Sequence, residues 1–481
     1  MTAIVTEQFI SQLIKDTKES LSGNVYIGLG RSLTWNNVAE LDPETPFAPT
    51  NDFEYAREAR SACQHVKIAT GISAAITRQD WVADTKYSAY DDAPWTSIPF
   101  DAEAIPYVMN SNYEIFLCVQ QGVDASGNVI PSTVEPLKAN LPAPLSNPVL
   151  AGENVLVTLD VDGSPGYTWR YLFTLSQVAV NRFLTSNFIP VTTFTADPLD
   201  QLVQTEQWQI QQISQPGQIL NIKVIDGGAG YANDVSSSVL GNAVTPNLAT
   251  TITNNIGGVI ASIEVPVTGF GYDYASVKIN PGSNNPTEDA TVRPVIGPNL
   301  GIEADPIVTL KANSIIVTTD FENDEFDTLL TENDFRQILL LKSPTVYDGS
   351  TAFLQSTGKA NRALICTGAP PVGTVDEDLV MTGQTSQAQG IVDYFENSTN
   401  LYYHQTPTTG YGTFLRGEPV EIAGSGGAVV TLTGAASSTI AANQVDPALD
   451  IFSGELLYID NIAPISRDPN QTEDIKIVIT F

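Results

Sequence analysis

Hydrophobic and polar positions along the chain follow two rhythms. Near the N-terminus the period is helical. Phe9, Ile10, Leu13, Ile14 and Leu21 fall near one face of residues 6–22, Thr6 is placed to cap the start and Gly23 to end it. A strand over Val25–Leu29 follows at once. A second helix is expected over Phe53–Cys63, where Glu54, Arg57, Glu58 and Arg60 are spaced for charge pairs. Elsewhere beyond Arg31 the pattern is mostly short β-prone runs broken by Pro, Gly, Asn and Asp. Tyr113–Val119, Val155–Leu159, Tyr167–Leu175 and Gln337–Leu341 are predicted strands. At the C-terminus Ile475, Ile477, Ile479 and Phe481 alternate with Lys476, Val478 and Thr480. Alternation that reaches the last residue predicts a closing strand paired inside a sheet.

One internal repeat stands out. Ile222–Tyr231 matches Ile263–Tyr272, with Gly269 lying 41 residues beyond Gly228. Each copy is an alternating strand, a G-x-G-Y turn and a second β-prone run. Gly228, Gly230, Gly269 and Gly271 can supply positive φ in a tight turn, and Tyr231 and Tyr272 can cover it. The pattern predicts a small β-module built by duplication, with too few copies for a solenoid. Residues 346–443 are rich in Gly, Thr, Ser and Ala and read as a second β insertion, with Gly424–Gly427 as a hairpin loop.

Composition narrows the function classes. A chain of 481 residues has room for about three domains. No apolar run is long enough to cross a bilayer, and the first residues lack the basic and apolar regions of a signal peptide. Three cysteines, Cys63, Cys118 and Cys366, make a disulfide framework a poor expectation and fit folding in a reducing cytoplasm. The net charge of −32 repels phosphate backbones and anionic lipid, which argues against nucleic-acid and membrane partners. A solubility role for that charge is the plainest reading.

Residues in chemistry-bearing arrangements are few. His65 and His404 are the only histidines, and neither has a second ligand at metal-binding spacing. No G-x-S-x-G elbow occurs. Gly227–Gly230 lacks the Lys-Ser/Thr of a phosphate loop, and its recurrence at Gly269 favours a turn. Asp160-Val161-Asp162-Gly163 begins like a calcium loop, but Tyr171 stands where a bidentate Glu is needed. Acidic clusters at Glu322–Glu325 with Asp327 and at Asp376–Asp378 read as solvated loops. No catalytic residue, cofactor site or metal site is expected.

More distinctive are groups of aromatic and charged residues. Arg31 and Trp35 follow the first strand. Arg78, Asp80 and Trp81 form a second group with Tyr87, and Tyr167, Trp169, Tyr171 and Phe173 alternate along a third with Arg170 between them. Large aromatics at alternating strand positions usually fill cores or interfaces, and Arg beside Trp and Asp reads as a partly buried ion pair.

These groups resemble, in order along the chain, the gene product eight family of baseplate wedge subunits in contractile-tailed phages. The matching segments are Gly30-Arg31-Ser32 with Trp35, Ile76–Trp81 with Asp84–Tyr87, Gly166–Phe173, Val180-Asn181-Arg182 with Ile189-Pro190-Val191, Lys311–Ile315, Phe335-Arg336-Gln337-Ile338 with Ser343-Pro344, and a terminal segment containing Ser453-Gly454-Glu455, Tyr458 and Phe481. Together they cover roughly 300 residues. Residues 215–300 and 346–443 have no counterpart, and nothing is carried over across Tyr107–Pro148.

The resemblance implies a mainly β, multidomain fold with a small α+β part, its antiparallel Greek-key β domains looped out of a domain formed by both chain ends. The expected division is 1–95 with 444–481 as that domain, 96–214 with 301–345 as antiparallel β, 215–300 as the repeat module and 346–443 as the second insert. It implies a virion structural protein rather than an enzyme. Such a protein is a homodimer in each wedge, made in the host cytoplasm, that links other baseplate wedge proteins during assembly and tail contraction, without cofactor. The alternative is a carbohydrate- or receptor-binding tail protein that contacts host glycan through the β insertions, with Tyr231, Tyr272, Tyr402 and Tyr403 as sugar platforms.

Overall fold

The computed structural model describes residues 5–35, 45–92, 95, 105–124, 128–141, 156–161, 164–198, 202–325, 328–329, 334–368, 378–396, 399–424 and 428–481. The fold is mainly β and multidomain: 43% of the described residues are strand and 12% helix. The chain divides into two compact units. One comprises Met1–Lys18, Ser73–Ile316 and Val478–Phe481, the other Glu19–Ile72 and Val317–Ile477.

In the first unit, strands Tyr107–Met109, Glu114–Gln120, Ser164–Thr174 and Leu156–Val161 lie side by side in that order, all antiparallel. Their buried face carries Tyr87, Phe116, Cys118, Tyr167, Trp169 and Tyr171, a core dominated by rings. The helix Leu202–Ile213 completes this core with Ile210. No helix was expected there. Its buried face includes Gln207 and Gln211, which bond the Thr192, Phe194 and Ala304 carbonyls, so the apolar period that marks a helix is broken by buried amides.

The repeat module of this unit has an internal two-fold relation. A four-stranded sheet is ordered Thr250–Ile256, Val259–Val267, Ile219–Asp226, Thr291–Ile296. The two central strands are the repeat copies, and Ile222 pairs with Ile263, its own counterpart. Ser236–Gly241 and Ala275–Asn280 pair separately. The copies therefore face each other around a pseudo-dyad instead of stacking in series as a solenoid does.

In the second unit a five-stranded antiparallel sheet is ordered Thr357–Lys359, Cys63–Ile68, Val25–Gly30, Asp334–Lys342, Glu455–Ser466. Its interior strands Val25–Gly30 and Asp334–Lys342 are almost wholly buried; Ile338–Leu341 is a continuous apolar run, while Arg336 and Gln337 are buried polar residues beside it. Helix Phe53–Ser61 is capped by Asp52, which accepts the Tyr55 N–H at 2.7 Å. The expected charge pairs within this helix give way to longer reaches: Glu58 meets Arg31, and Arg60 donates to the Ile451, Ser453 and Gly454 carbonyls. A seven-stranded antiparallel sheet is built between Arg362 and Val445. Within it Arg362–Ile365 lies beside Asn400–His404, after which come Gln389–Glu396 and Val380–Gly383; this is Greek-key order.

Three expectations differ from the structure. Asp334–Lys342, grouped above with 96–214, is an interior strand of the sheet that holds Val25–Gly30, between that strand and Glu455–Ser466. Thr357–Lys359, placed in the second insert, is an edge strand of that same sheet. The terminal strand Thr472–Thr480 does not join it: it neighbours Ser314–Glu322 at the edge of a four-stranded sheet. Being an edge, it buries Ile477 but leaves Phe481 exposed. Likewise the helix Glu7–Leu21 buries Ile14 and Leu21 and exposes Phe9 and Leu13.

Candidate functional site

Most of the singled-out residues are interior bracing. Arg31 holds a left-handed backbone (φ 58°), and its guanidinium lies 4.4 Å from the Trp35 ring centre. Trp35 is buried and donates its indole N–H to the Ile462 carbonyl at 2.8 Å. Arg336, next to buried Phe335, donates to the Ser32 carbonyl and to Asp334 at 3.1 Å. These contacts tie the turn after the first strand to Asp334–Lys342 and Glu455–Ser466. In the first unit Arg78 meets both Asp80 oxygens at 3.0 Å and also donates to the Thr185 carbonyl. Trp81 donates to Ser132 Oγ at 3.1 Å.

The Tyr167–Phe173 run supplies the densest cluster. Tyr167 stacks on Trp169 at 5.7 Å, donates to the Ile130 carbonyl and accepts the Tyr87 N–H. Tyr171 shares a 2.7 Å hydrogen bond with Thr174 Oγ1, and Phe173 is buried. Arg170, wholly buried, pairs with buried Glu303 and donates to Gln218 at 3.0 Å. Glu303 also accepts from Ser214 Oγ at 3.0 Å. Arg182 is exposed in the last turn of the helix Gln177–Phe183. Tyr458 is half-buried; burial, then Asp460, pushes its phenol up to about 12. Phe481 donates its N–H to the Asn313 carbonyl.

The repeat turns use their glycines as the sequence requires. Gly228 and Gly269 have φ 61° and 57°, and Gly230 and Gly271 both have 84°. Each turn latches the opposite copy. Tyr231 Oη accepts the Ala290 N–H at 2.7 Å, and Tyr272 Oη accepts the Ala249 N–H at 3.0 Å. A Cβ at 228 would lie 2.5 Å from the Glu288 oxygen, and one at 269 would lie 2.5 Å from the Ala249 nitrogen. Tyr231 and Tyr272 are therefore buried latches, not sugar platforms. Tyr402 and Tyr403 are buried as well, so none of the four tyrosines offers an exposed stacking face.

A buried polar network, absent from the sequence reading, surrounds Asp393. His404 Nδ1 lies 2.7 Å from one of its oxygens, Gln64 donates to the same oxygen at 3.1 Å, and Asn361 donates to the other at 2.9 Å. Burial alone would lower the imidazole, but the charge and hydrogen bond of Asp393 outweigh it and raise His404 above the usual histidine range. Nearby, burial raises the Asp378 carboxyl, partly offset by a hydrogen bond from Ser32. His65 behaves oppositely: burial holds it down to about 3, and its Nδ1 lies 3.1 Å from the Thr328 carbonyl. Asp393 and His404 are eleven positions apart on facing strands, a spacing that carries no motif.

The acidic clusters are only partly solvated. Glu325 is buried, ion-paired with Lys67 at 2.6 Å, and accepts the Glu322 N–H. Asp327, Asp376 and Glu377 lie outside the described residues, as do Asp162 and Gly163 of the calcium-loop candidate. Among the described residues no group of three or more His, Cys, Asp or Glu is placed to hold a metal ion, the three cysteines are buried and free, and no helix is long and apolar enough to cross a membrane. No known family model matches the chain, and no curated protein matches it.

Proposed function

We propose that the chain is a structural subunit of a contractile-tail baseplate, a homodimeric connector between other wedge proteins. One observation carries this reading: segments that bear the family resemblance, though far apart in sequence, pair with one another. Gly30 pairs with Gln337, and Gln337 pairs with Asn461. Ile76 pairs with Ile189 and Ala75 with Pro190. Apart from Thr357–Lys359, which pairs with Cys63–Ile68, the stretches without a counterpart behave differently. The strands from Ile219 to Ile296, and those from Arg362 to Val445, form sheets among themselves and join no other strand among the described residues. A shared framework carrying added modules has this signature, since a module spliced into a loop satisfies its own backbone hydrogen bonds.

The role is tested by density for this chain in an intact tail. Two copies in every wedge, with a dimer in sedimentation of the purified chain, is the expected result. A single copy at a fibre tip would overturn it.

A further inference from the structure

A cavity of about 300 Å³ opens beside the seven-stranded sheet, walled by Tyr347, Arg362, Tyr403, Tyr411, Gln444 and Asp450. That volume is at the small end for ligand pockets, which run ~300–1,000 Å³. Arg362 is exposed, with its guanidinium carbon 5.2 Å from the Tyr347 ring centre. No carboxylate among the described residues forms an ion pair with it, in a chain with 54 acidic and 22 basic side chains. An exposed Arg with no carboxylate partner among the described residues is available for an anion from outside. Tyr411 is half exposed on the facing loop. Gln405 holds that loop by donating to the Gly412 and Gln389 carbonyls, both at 2.8 Å, so the Tyr411 platform is pre-positioned. The buried Tyr403 ring, set edge-on to Phe414 at 5.4 Å, forms a rigid wall. Asp450 accepts the Phe452 N–H at 3.0 Å, and the neighbouring Arg60 offsets its charge.

These groups select a ligand class. An exposed guanidinium stacked on a tyrosine ring calls for a planar oxyanion, which it can take in bidentate fashion. A half-exposed tyrosine calls for a flat, partly apolar ring, and Gln444 and Asp450 call for hydroxyl groups. The net charge of −32 turns away polyanions such as nucleic acid, so the ligand carries few charges. We propose that this cavity binds a saccharide bearing one carboxylate, with Arg362 taking the carboxylate and Tyr411 stacking on the sugar ring. The proposal does not depend on the baseplate reading.

The test titrates the full chain by calorimetry with a glucuronic-acid-terminated disaccharide, its carboxyl-reduced neutral counterpart, and acetate. The acidic disaccharide should bind at least about tenfold more tightly than either control, the ratio expected for a charge-assisted pair plus ring stacking. Arg362→Gln and Tyr411→Ala should each weaken it to a similar degree with unchanged thermal unfolding. Equal affinity for the neutral sugar, equal affinity for acetate, or no binding at millimolar concentration overturns the proposal. The comparison of ligands on the wild-type chain decides the matter even where a variant fails to fold.

Discussion

At the scale of single residues, buried charge is the most exacting feature. Arg170 and Glu303 are both fully enclosed, and each leans on a second partner, Gln218 and Ser214. Removing one partner strands the other in a medium that cannot solvate it. Arg170→Met is expected to cost about 3–5 kcal/mol in denaturant unfolding, and Arg170→Met with Glu303→Leu distinctly less. The two histidines pull stability in opposite directions with pH. His404 is raised, so its contribution is complete below the ordinary histidine value and fades as pH climbs through its folded value. His65 is depressed to about 3, so its contribution is complete above the ordinary value and fades as pH falls toward 3. Thermal unfolding of His404→Gln should therefore lose less stability than wild type as pH is raised above neutrality. A parallel pair of curves would refute the assignment. Nothing in the sequence marks these partners. Glu303 lies far from Arg170 along the chain, and the pairing exists only because folding brings their backbones together.

The elements show where local pattern was enough. Thr6 and Gly23 do bound the first helix: Thr6 Oγ1 accepts the Phe9 N–H at 3.3 Å, and Gly23 has φ 78°. The G-x-G-Y turns were legible because positive φ favours glycine, and two glycines recur at the same spacing in both copies. Their exchange between copies was not legible, since a repeat looks the same whether it latches itself or its twin. That exchange makes a sharp prediction for amide hydrogen exchange. Tyr231→Phe should release the Ala290 amide and Tyr272→Phe the Ala249 amide, each losing about 1–3 kcal/mol of local protection. Release at the mutated copy's own strand would contradict the pseudo-dyad. Gly228→Ala and Gly269→Ala should be worse, because both steric overlap and backbone strain oppose a side chain there. The closing strand offers a further test. Truncating Ile475–Phe481 should expose amides of its neighbour Ser314–Glu322 to exchange while Val25–Gly30 keeps its protection, because the latter lies in a different sheet.

For the whole molecule, the decisive question is what can be removed. The composition shift placed the second insert at 346–443, yet Phe353 packs on Tyr26 and Thr357–Lys359 pairs with Cys63–Ile68. Excision is better drawn from Asn361 to Val445, across the self-paired sheet. Replacing that stretch by a short Gly-Ser linker should leave the remaining sheets folded by circular dichroism and, on the proposed homodimer reading, leave self-association intact in sedimentation. Loss of the dimer would move the self-association surface onto the insert.

By itself the sequence determined the β class, the first helix and its ends, the repeat turns and the aromatic core strands. Each rests on a local rule: capping, glycine φ, or alternation with period two. Only the tertiary structure decided that the final strand is an edge in another sheet, that the two repeats embrace around a dyad, and that Arg362, Tyr347 and Tyr411 share one cavity. Those outcomes depend on which distant segments satisfy each other's hydrogen bonds and buried charge, and no single stretch of chain carries that information.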